Sequence, residues 1–410
     1  MTPERVETNA PPGAAVCSKL RVLHLNAGNL LGGIERVLLT LAQFQREASS
    51  IDSSFAVCFK GQFLDHLRRS GTSVDELGEV RVRNPWTVVQ ARRCLQALLD
   101  RDHHDVVICH SPWCLAIFGP AARRSRLPLL LWVHGALDRK HWVDGWARWH
   151  RPDFAICNSQ FTQSTLDALF PGLASEVLYC PVSPRVPDRG AQSWSMIRGE
   201  LDTPPDAIVV VHASRMEEWK GHRILLQALA GLRSSANWVA WFAGGAQSRS
   251  EERYLDELKG MAYSSGIGDS VRFLGQRSDV PSLMSAGDIY CHPNSSPEPF
   301  GIAIVEALYA GLPVVTSAIG GPREIVDQTC GILVPPRDVA ALTAALHSLM
   351  QDPLLRARLG ARGPARARQM SDPARRLRQL EGVLLSRFST RKVTAELAPQ
   401  RALPASGSRL

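Results

Sequence analysis

The chain has no apolar run that approaches the roughly 20 residues needed to cross a bilayer. Its longest candidates, such as PLLLWV at 128–133, have the length of a strand. The first residues, MTPERVETNAPPGAAV, contain no apolar signal core, so we expect no export by that route and a flexible tail at 1–18. These absences argue against a membrane-spanning or exported protein and favour a cytoplasmic one.

Two common motifs are also missing. None of the nine cysteines, from Cys17 to Cys330, belongs to a CxxC pair, which favours buried free thiols in a reducing compartment. No GxGxxG occurs, which argues against a nicotinamide-dependent oxidoreductase. At 410 residues and 45% hydrophobic composition, the chain is expected to form two domains with large cores.

Part of the net charge of +8 is concentrated near the C-terminus. Such a segment is either a solvated helix surface or a site for an anionic partner. No nucleic-acid motif accompanies it, so a nucleic-acid-binding protein is an unlikely alternative. Asp372 is the only acidic residue in that interval. The arginines are Arg356, Arg358, Arg362, Arg366, Arg368, Arg375, Arg376 and Arg378.

Short apolar strands alternate with longer amphipathic helices from residue 20 onward. Continuous rather than alternating hydrophobicity is typical of parallel strands covered on both faces. The pattern therefore predicts an α/β fold with two tandem Rossmann-like, doubly wound domains. The predicted strands lie at 20–25, 53–59, 105–110, 127–135 and 153–159, then at 206–214, 238–245, 271–275, 288–294, 313–317 and 331–336.

A segment rich in Pro and Gly, residues 180–194, separates the two runs and is typical of a linker. We predict an N-terminal domain at 19–185, a C-terminal domain at 186–372, one more helix at 373–390 and a disordered tail at 391–410. Ligands of such sheets bind outside the carboxyl ends of the strands. Two facing sheets would enclose a cleft lined by the loops that follow the strands.

Three of these loops suit a phosphorylated, hydroxyl-rich ligand. NAGNLLGGIER, at 26–36, is glycine-rich and opens a helix, so its backbone either approaches an anion or simply turns tightly. In SRMEEWKGH, at 214–222, Arg215 and Lys220 either hold a pyrophosphate or are ordinary solvated cations on the surface. In SAIGGPREIV, Gly320 and Gly321 also permit close backbone approach.

Two glutamates flank the start of an apolar helix in PEPFGIAIVEALYAGLPVV, which we expect to begin near Phe300 or Gly301 and to end at Gly311. Glu306 has apolar neighbours on every side, which predicts a buried carboxylate. Its partner must be remote in sequence or a ligand such as a ribose, unless it is a structural glutamate bonded to nearby backbone. Glu298 is expected to face the same crevice.

The residues from about 20 to 370 resemble the retaining nucleotide-sugar glycosyltransferases of the GT-B fold, specifically glycosyltransferase family four. The most specific match is E-P-F-G-x-x-x-x-E-A at 298–307. The resemblance implies two domains facing across a cleft, with a last helix at roughly 373–388 crossing back onto the first. Supporting matches are G-G-x-E at 32–35, V-H-G at 133–135, R-x4-K-G at 215–221, and G-Q-R-S-D-V at 275–280 followed by A-G-D-I at 286–289.

The resemblance also implies a reaction: a sugar moves from a nucleotide-diphosphate sugar to a hydroxyl of a glycan or lipid-linked acceptor, with retention of configuration. Glu306 would bind the ribose hydroxyls and Glu298 the donor sugar. Arg215 and Lys220 would hold the departing diphosphate. His134 would contact the transferring sugar, unless it is a strand-end histidine held by backbone. The other donor-binding positions would be Gly32, Gly33, the backbone near Arg277, Phe300, Gly301 and Ile302.

We expect no cofactor and no metal. This expectation takes the chain to contain no Asp-x-Asp, the usual carboxylate pair that holds a divalent metal against a diphosphate. No obvious nucleophile stands out, so under retention the leaving phosphate would act as base on the acceptor. A nucleotide-sugar 2-epimerase of the same architecture is the alternative enzyme. The nucleotide base, the sugar and the acceptor stay open.

One further segment, 132–151, combines tryptophans and cations at helical spacing. These residues either pack one helix against the rest of the domain, or form a surface that contacts the acceptor or a membrane interface. The second interpretation places the protein in peripheral contact with the inner face of an anionic membrane. The residues concerned are Trp142, Trp146 and Trp149, with Arg139, Lys140, Arg148 and Arg151 interleaved.

Overall fold

The computed structural model of the chain describes residues 19–28, 32–138, 142–184 and 191–396. Several positions discussed above lie outside the described residues. They are the expected tail at 1–18 with Cys17, residues 29–31 of the glycine-rich loop, the cations Arg139 and Lys140, residues 185–190 of the expected linker with the predicted domain boundary, and the final stretch 397–410.

Seven parallel strands of the described chain form the first sheet, in the order β3-β2-β1-β4-β5-β6-β7. Its central strands are buried along their whole length because helices cover both faces of the sheet. The strands are β1 (Leu20–Asn26), β2 (Ile51–Val57), β3 (Val74–Glu76), β4 (Val106–Cys109), β5 (Leu129–Val133), β6 (Phe154–Cys157) and β7 (Ser175–Val177).

Two edge strands of this sheet, β3 and β7, were not predicted. Their sequences, VDE and SEV, have only three residues and no apolar run. An edge strand is stabilised by pairing on one side only and remains partly exposed, so it lacks the hydrophobic pattern that marks the central strands.

Six parallel strands form the second sheet, in the order β10-β9-β8-β11-β12-β13. Each agrees with a predicted strand to within two residues at either end. This second sheet repeats the doubly wound arrangement of the first, as predicted. The strands are β8 (Ile208–Ala213), β9 (Trp238–Ala243), β10 (Val271–Gly275), β11 (Ile289–His292), β12 (Val314–Ser317) and β13 (Gly331–Val334).

Helices follow most of the strands and cover the two faces of each sheet. Those of the first domain are α1 (Gly33–Phe44), α2 (Gln62–Arg69), α3 (Pro85–Arg101), α4 (Pro112–Arg124), α5 (Trp142–Ala147) and α6 (Gln160–Ser164). Those that follow are α7 (Ala191–Glu200), α8 (His222–Ala230), α9 (Arg249–Ser264), α10 (Val280–Ala286), α11 (Ile302–Tyr309), α12 (Pro322–Ile325), α13 (Val339–Gln351), α14 (Pro353–Ser371) and α15 (Pro373–Glu396).

Two boundaries differ from the predicted ones. The segment expected to be a linker to residue 194 already becomes helical at Ala191, the start of α7. The last helix, α15, continues to Glu396, so the residues just after 390 are helical rather than a tail. Helix ends without a strong cap or proline are weakly marked in a sequence, which explains both differences.

Helix α15 returns to the first domain. Its Leu380 and Leu384 are buried in the same apolar cluster as Leu38 of α1. The side chain of Gln379 donates to the carbonyl of Val177 at 3.1 Å. The two chain segments that cross between the domains also touch, since the N–H of Val182 donates to the carbonyl of Ser371 at 3.0 Å.

No helix among the described residues is both long and apolar enough to cross a membrane. The eight cysteines of the described chain are unpaired, and seven of them are buried, in agreement with the expected free thiols.

Packing of α15 leads to a prediction about stability. Replacing the fully buried Leu384 with alanine should lower the free energy of unfolding by about 2–5 kcal/mol, because it leaves a cavity. Gly382→Ala is the matched control on the same helix. A side chain there meets no other atom within 4 Å, so this change should raise stability by about 0.5–1 kcal/mol. Denaturant or thermal unfolding would measure both, and equal stability of the two variants would contradict the packing assigned to α15.

Candidate active site

A cleft of about 410 Å³ lies where loops at the carboxyl ends of the two sheets meet. Its volume is typical of a small-molecule site. Residues from both domains line it, so folding brings together motifs that are far apart in the sequence. The walls include every residue predicted to bind or act on the donor: Gly32, Gly33, His134, Arg215, Lys220, Arg277, Glu298, Phe300, Gly301, Ile302 and Glu306.

The wall from the first domain begins at the glycine-rich turn before α1. The N–H of Gly32 donates to the carboxylate of Glu35 at 2.9 Å, and the amide of Asn26 donates to the other oxygen at 2.9 Å. Glu35 is therefore buried but paired. A side chain at Gly33 would touch Ile302 of the second domain at 3.5 Å, so this turn brings α1 close to α11.

Glu298 is enclosed by three donors from its own domain. The ammonium of Lys220 lies 2.6 Å from its carboxylate, the amide of Asn294 lies at 2.9 Å and the ring of His292 at 3.4 Å. Burial alone would raise the pKa of Glu298, but the hydrogen bond from His292 and the charge of Lys220 outweigh it and hold the pKa well below its usual range. Glu298 is thus an ionised carboxylate at neutral pH.

Two glycines support the backbone of Glu298. The N–H of Gly321 donates to the carbonyl of Glu298 at 2.8 Å. Gly320 has a φ of +71°, and a side chain there would lie 2.4 Å from the same carbonyl oxygen. The close approach predicted for this loop is therefore present, but it accommodates the protein's own backbone at Glu298 rather than a ligand.

Glu306 pairs with a residue that was not predicted. The guanidinium of Arg36, on α1, lies 2.6 Å from its carboxylate. A partner remote in sequence was one of the expected outcomes. Complete burial of Glu306 was wrong, because one face of α11, which includes Ile302 and Ala303, borders the cleft and leaves the Glu306 side chain 14% exposed.

Cations and helix N–H groups border the same space. Helix α11 begins at Ile302, slightly later than predicted, so the N–H groups of Ile302 and Ala303 have no partner within the helix. Together with the ammonium of Lys220 they form a positive surface suited to an anion. Arg215 is about half exposed and lies 2.9 Å from Glu217.

The side chain of Arg277 is paired with the nearby carboxylate of Asp279. Its guanidinium makes two hydrogen bonds to Asp279, at 2.7 and 2.5 Å. These bonds raise the pKa of Arg277 and lower the pKa of Asp279. The side chain of Arg277 is therefore held by Asp279 where this segment borders the cleft.

His134 reaches the cleft from the end of β5. The amide of Asn158 donates to its backbone carbonyl at 3.3 Å. Its ring lies 3.0 Å from the ring of His110, which is followed at 2.9 Å by the ring of His24. Sequence reasoning missed both buried histidines. The available signal was their position, since each occupies the carboxyl-end part of a predicted strand on the same face of the sheet.

The chain contains one Asp-x-Asp, formed by Asp100 and Asp102, which the expectation about metals did not take into account. It lies at the end of α3, before β4, and so away from the carboxyl ends of the strands. Arg101 contacts Asp102 at 2.6 Å and Asp75 at 3.0 Å. Within the described chain, no group of three or more metal-ligating side chains is arranged to hold an ion.

The tryptophans near α5 divide into two kinds. Trp146 is partly buried against the core, where Trp113 packs edge-on against it with 6.3 Å between ring centroids. Packing therefore accounts for Trp146. Trp142 stacks on Trp146 with 6.2 Å between ring centroids, yet it remains 60% exposed. Trp149 is 81% exposed.

Three of the clustered arginines donate to backbone carbonyls at 3.0 Å or less. Arg356 donates to the carbonyl of Met350 at 3.0 Å, and Arg366 to that of Ile325 at 2.8 Å. The nearly buried Arg376 donates to the carbonyl of Gln369 at 2.7 Å. These guanidinium groups satisfy carbonyls near helix ends, which favours the structural interpretation of the basic segment.

Comparison with known proteins gives two family matches in tandem. Residues 31–186 match the model described as Glycosyltransferase Family 4. Residues 195–366 match the model described as Glycosyl transferases group 1. The boundary between the matches falls at the segment that joins the two sheets.

Named relatives match over part of the chain. The lipopolysaccharide core biosynthesis glycosyltransferase LpsD of Rhizobium meliloti is 35% identical over 168 residues, which are 40% of this chain and 46% of LpsD. The phosphatidyl-myo-inositol mannosyltransferase of Mycobacterium leprae is 38% identical over 156 residues, 37% of this chain and 40% of that protein. The chain thus spans less than half the length of either relative.

A solved structure matches over nearly the whole chain. Anabaena HepE, in complex with UDP and glucose, superposes with a TM-score of 0.79 and is 25% identical, covering 90% of this chain and 100% of HepE. This likeness confirms the predicted arrangement of two Rossmann-like domains. Together with the two tandem family matches, it shows that the chain belongs to the glycosyltransferases of the GT-B fold.

Proposed function

We propose that the protein transfers a sugar from a nucleotide-diphosphate sugar to a hydroxyl group of an acceptor. One observation carries the proposal: Lys220 and the N-terminus of α11 border the same cleft as the two carboxylates of Glu298 and Glu306. Cations and free N–H groups suit a diphosphate, and carboxylates suit the hydroxyls of a sugar and a ribose. The structurally similar HepE is in complex with UDP and glucose, which supports a donor of this class.

The main charge that develops during transfer lies on the departing nucleotide diphosphate. A preorganised positive group next to it lowers the barrier, because it needs no reorganisation during the reaction. Lys220 is such a group, since Glu298 and the ring of Trp219, at 3.8 Å, already hold its ammonium in place. Arg215, which is about half exposed, adds a second cation from the same loop.

Each carboxylate then has its own task. Glu306 binds the ribose hydroxyls and Glu298 the hydroxyls of the donor sugar, as the resemblance implies. Both are already paired with cations, so neither is a free nucleophile. The resemblance implies transfer with retention, and in the absence of a free nucleophile the leaving phosphate then acts as base on the acceptor hydroxyl. LpsD and the mannosyltransferase are named for lipopolysaccharide core and phosphatidylinositol, so a glycan or lipid-linked acceptor is the class to test first.

Replacing either Lys220 or Glu306 with alanine should reduce transfer and donor hydrolysis by about 100-fold or more, because each change removes a charged contact to the donor. Initial rates with radiolabelled nucleotide sugars would measure the loss. Lys259→Ala and Glu257→Ala are matched controls at exposed positions of α9 and should retain activity. Full activity in either site variant, at unchanged melting temperature, would refute the assignment of the site.

The nucleobase of the sugar donor should be identified before these assays. A ligand that binds the folded protein raises its melting temperature by mass action. UDP, GDP, ADP and their sugars would be compared in this way. Incubation without acceptor separates transfer from the alternative function, because only a 2-epimerase would convert one nucleotide sugar into another.

We expect transfer to be independent of divalent metal. The positive groups at the diphosphate position are Lys220, Arg215 and the start of α11, and they supply the charge that a metal would otherwise provide. Initial rates in about 5–10 mM EDTA should therefore stay within about twofold of rates with Mg²⁺ or Mn²⁺. Loss of activity in EDTA that returns with added metal would contradict this.

The exposed tryptophans of the first domain support peripheral contact with an anionic membrane. Trp142→Ala and Trp149→Ala should each reduce flotation with phosphatidylglycerol-containing liposomes, because indole rings anchor at the headgroup level. Trp194→Ala, at an exposed position of α7 in the second half of the chain, is the matched control. Equal flotation of all variants would refute this part of the proposal. The absence of wild-type flotation at low salt would refute it as well.

A further inference from the structure

Three histidines follow one another across neighbouring strands of the first sheet. His24 lies in β1, His110 directly follows β4 and His134 directly follows β5, and these strands are adjacent in the sheet. In the strand register His24 pairs with Ile108. His110 therefore lies two residues nearer the carboxyl edge than His24. Because residues two apart in a strand share a face, the rings project from one side of the sheet.

The rings form a continuous hydrogen-bonded relay, His24–His110–His134. Nδ1 of His24 lies 2.9 Å from Nε2 of His110, and Nδ1 of His110 lies 3.0 Å from Nε2 of His134. Trp132 packs against the last two rings, with centroids 5.2 and 5.5 Å away. The relay therefore runs from the interior of the domain to the wall of the cleft.

The inner end of the relay is closed. His24 is 1% exposed and stacks on Phe55, with 5.1 Å between ring centroids. Its Nε2 has no hydrogen-bond partner among the described residues. Because no group of the described chain beyond Nε2 of His24 could take up a proton, the relay is not a path that carries protons away from the cleft.

All three rings are neutral at physiological pH. Burial lowers the pKa of His24 and of His134 to about 3. Burial, together with the neighbouring histidines, also lowers the pKa of His110 well below its usual value. A neutral imidazole has one N–H and one lone pair, so the two hydrogen bonds of the relay must point in the same direction along it.

Only two proton patterns satisfy this condition. In one, every ring donates toward His24, which then carries its own proton on the unpartnered Nε2. In the other, every ring donates toward the cleft, and His134 carries its proton on Nδ1. Orphaned buried N–H groups are rarer in proteins than unsatisfied acceptors, and an unpaired donor costs about 1–3 kcal/mol. The second pattern avoids that donor.

We propose that His24 and His110 are positioning residues that hold His134 in one orientation and one tautomer, with its Nδ1–H available to the cleft. This role for His134 rests on the proposed function: the ring donates a hydrogen bond to an oxygen of the transferring sugar and does not act as a base. The tautomer itself is independent of that function and can be measured without turnover.

The test uses the full chain labelled with ¹⁵N-histidine, in which long-range ¹H–¹⁵N spectra distinguish the two tautomers of each ring. His134→Gln identifies the signals of His134. We expect Nδ1–H at His134 in the wild type, and a mixture of tautomers in His110→Phe, which keeps a ring but removes the donor. His110→Asn retains an amide N–H near the same place and should restore the Nδ1–H form.

A second variant guards against misfolding of the first. His24→Phe leaves His110 in contact with His134 but removes the fixed end of the relay, and it should also give mixed tautomers. His347→Gln, an exposed position on α13, should change nothing at His134. A wild-type His134 protonated on Nε2, or a His134 tautomer unaffected in both phenylalanine variants, would overturn the proposal.

Kinetics give the functional readout. His110→Phe should lower kcat by about tenfold, the effect of one lost hydrogen bond, with a smaller change in KM for the donor. His110→Asn should recover most of that loss. If neither the wild type nor any variant transfers sugar, the proposed function is wrong. The tautomer measurement still tests the positioning role of His24 and His110 in that case. Equal kcat in wild type and His110→Phe would refute the positioning role.

Discussion

The ionised carboxylate of Glu298 is the group on which the second domain's half of the cleft depends. A buried charge without partners is costly, and removing one partner of such a group leaves the other uncompensated. Lys220, Asn294 and His292 compensate it, and they come from the loop before α8 and from the end of β11. The position of the Lys220 ammonium in the cleft is thus a consequence of neutralising Glu298.

The same segment ties the two domains together. The hydroxyl of Ser159 donates to the carbonyl of Pro299, directly after Glu298, at 2.6 Å. The carboxylate of Glu324 accepts from the N–H groups of Gln160 and Phe161 at the start of α6, at 2.9 and 3.0 Å. Because Asn158, the residue before Ser159, holds the backbone of His134, these contacts set the distance between the groups from the two domains that face each other in the cleft.

Much of this could be predicted from the sequence, because it depends on local pattern. Continuous apolar runs marked the central strands, and the rule that ligands bind at the carboxyl ends of parallel strands placed Arg215, Lys220 and Glu298 in one cleft. Even the remote partner of Glu306 was anticipated, since a carboxylate in an apolar helix requires one.

What could not be predicted depends on how elements far apart in the sequence are placed against each other. Arg36 is an ordinary surface residue of an amphipathic helix until α1 meets α11. His24 and His110 are isolated histidines until the register of β1 and β4 brings their rings together. Gly320 resembled a ligand-binding turn, and only the bridge between it and Glu298 shows what it accommodates. Residue type alone does not encode these pairings.

The two glutamates also differ in a way that the sequence did not indicate. The pair between Arg36 and Glu306 is open to water, since the arginine side chain is 43% exposed, and such pairs contribute about 1 kcal/mol or less. A ligand hydroxyl can therefore replace or share this contact at little cost. Lys220 and Glu298 are each only 13% exposed, so separating them would leave two poorly solvated charges. Glu306 is consequently the carboxylate available for exchange with a ligand, whereas Glu298 keeps its cation and must meet a ligand with that cation in place.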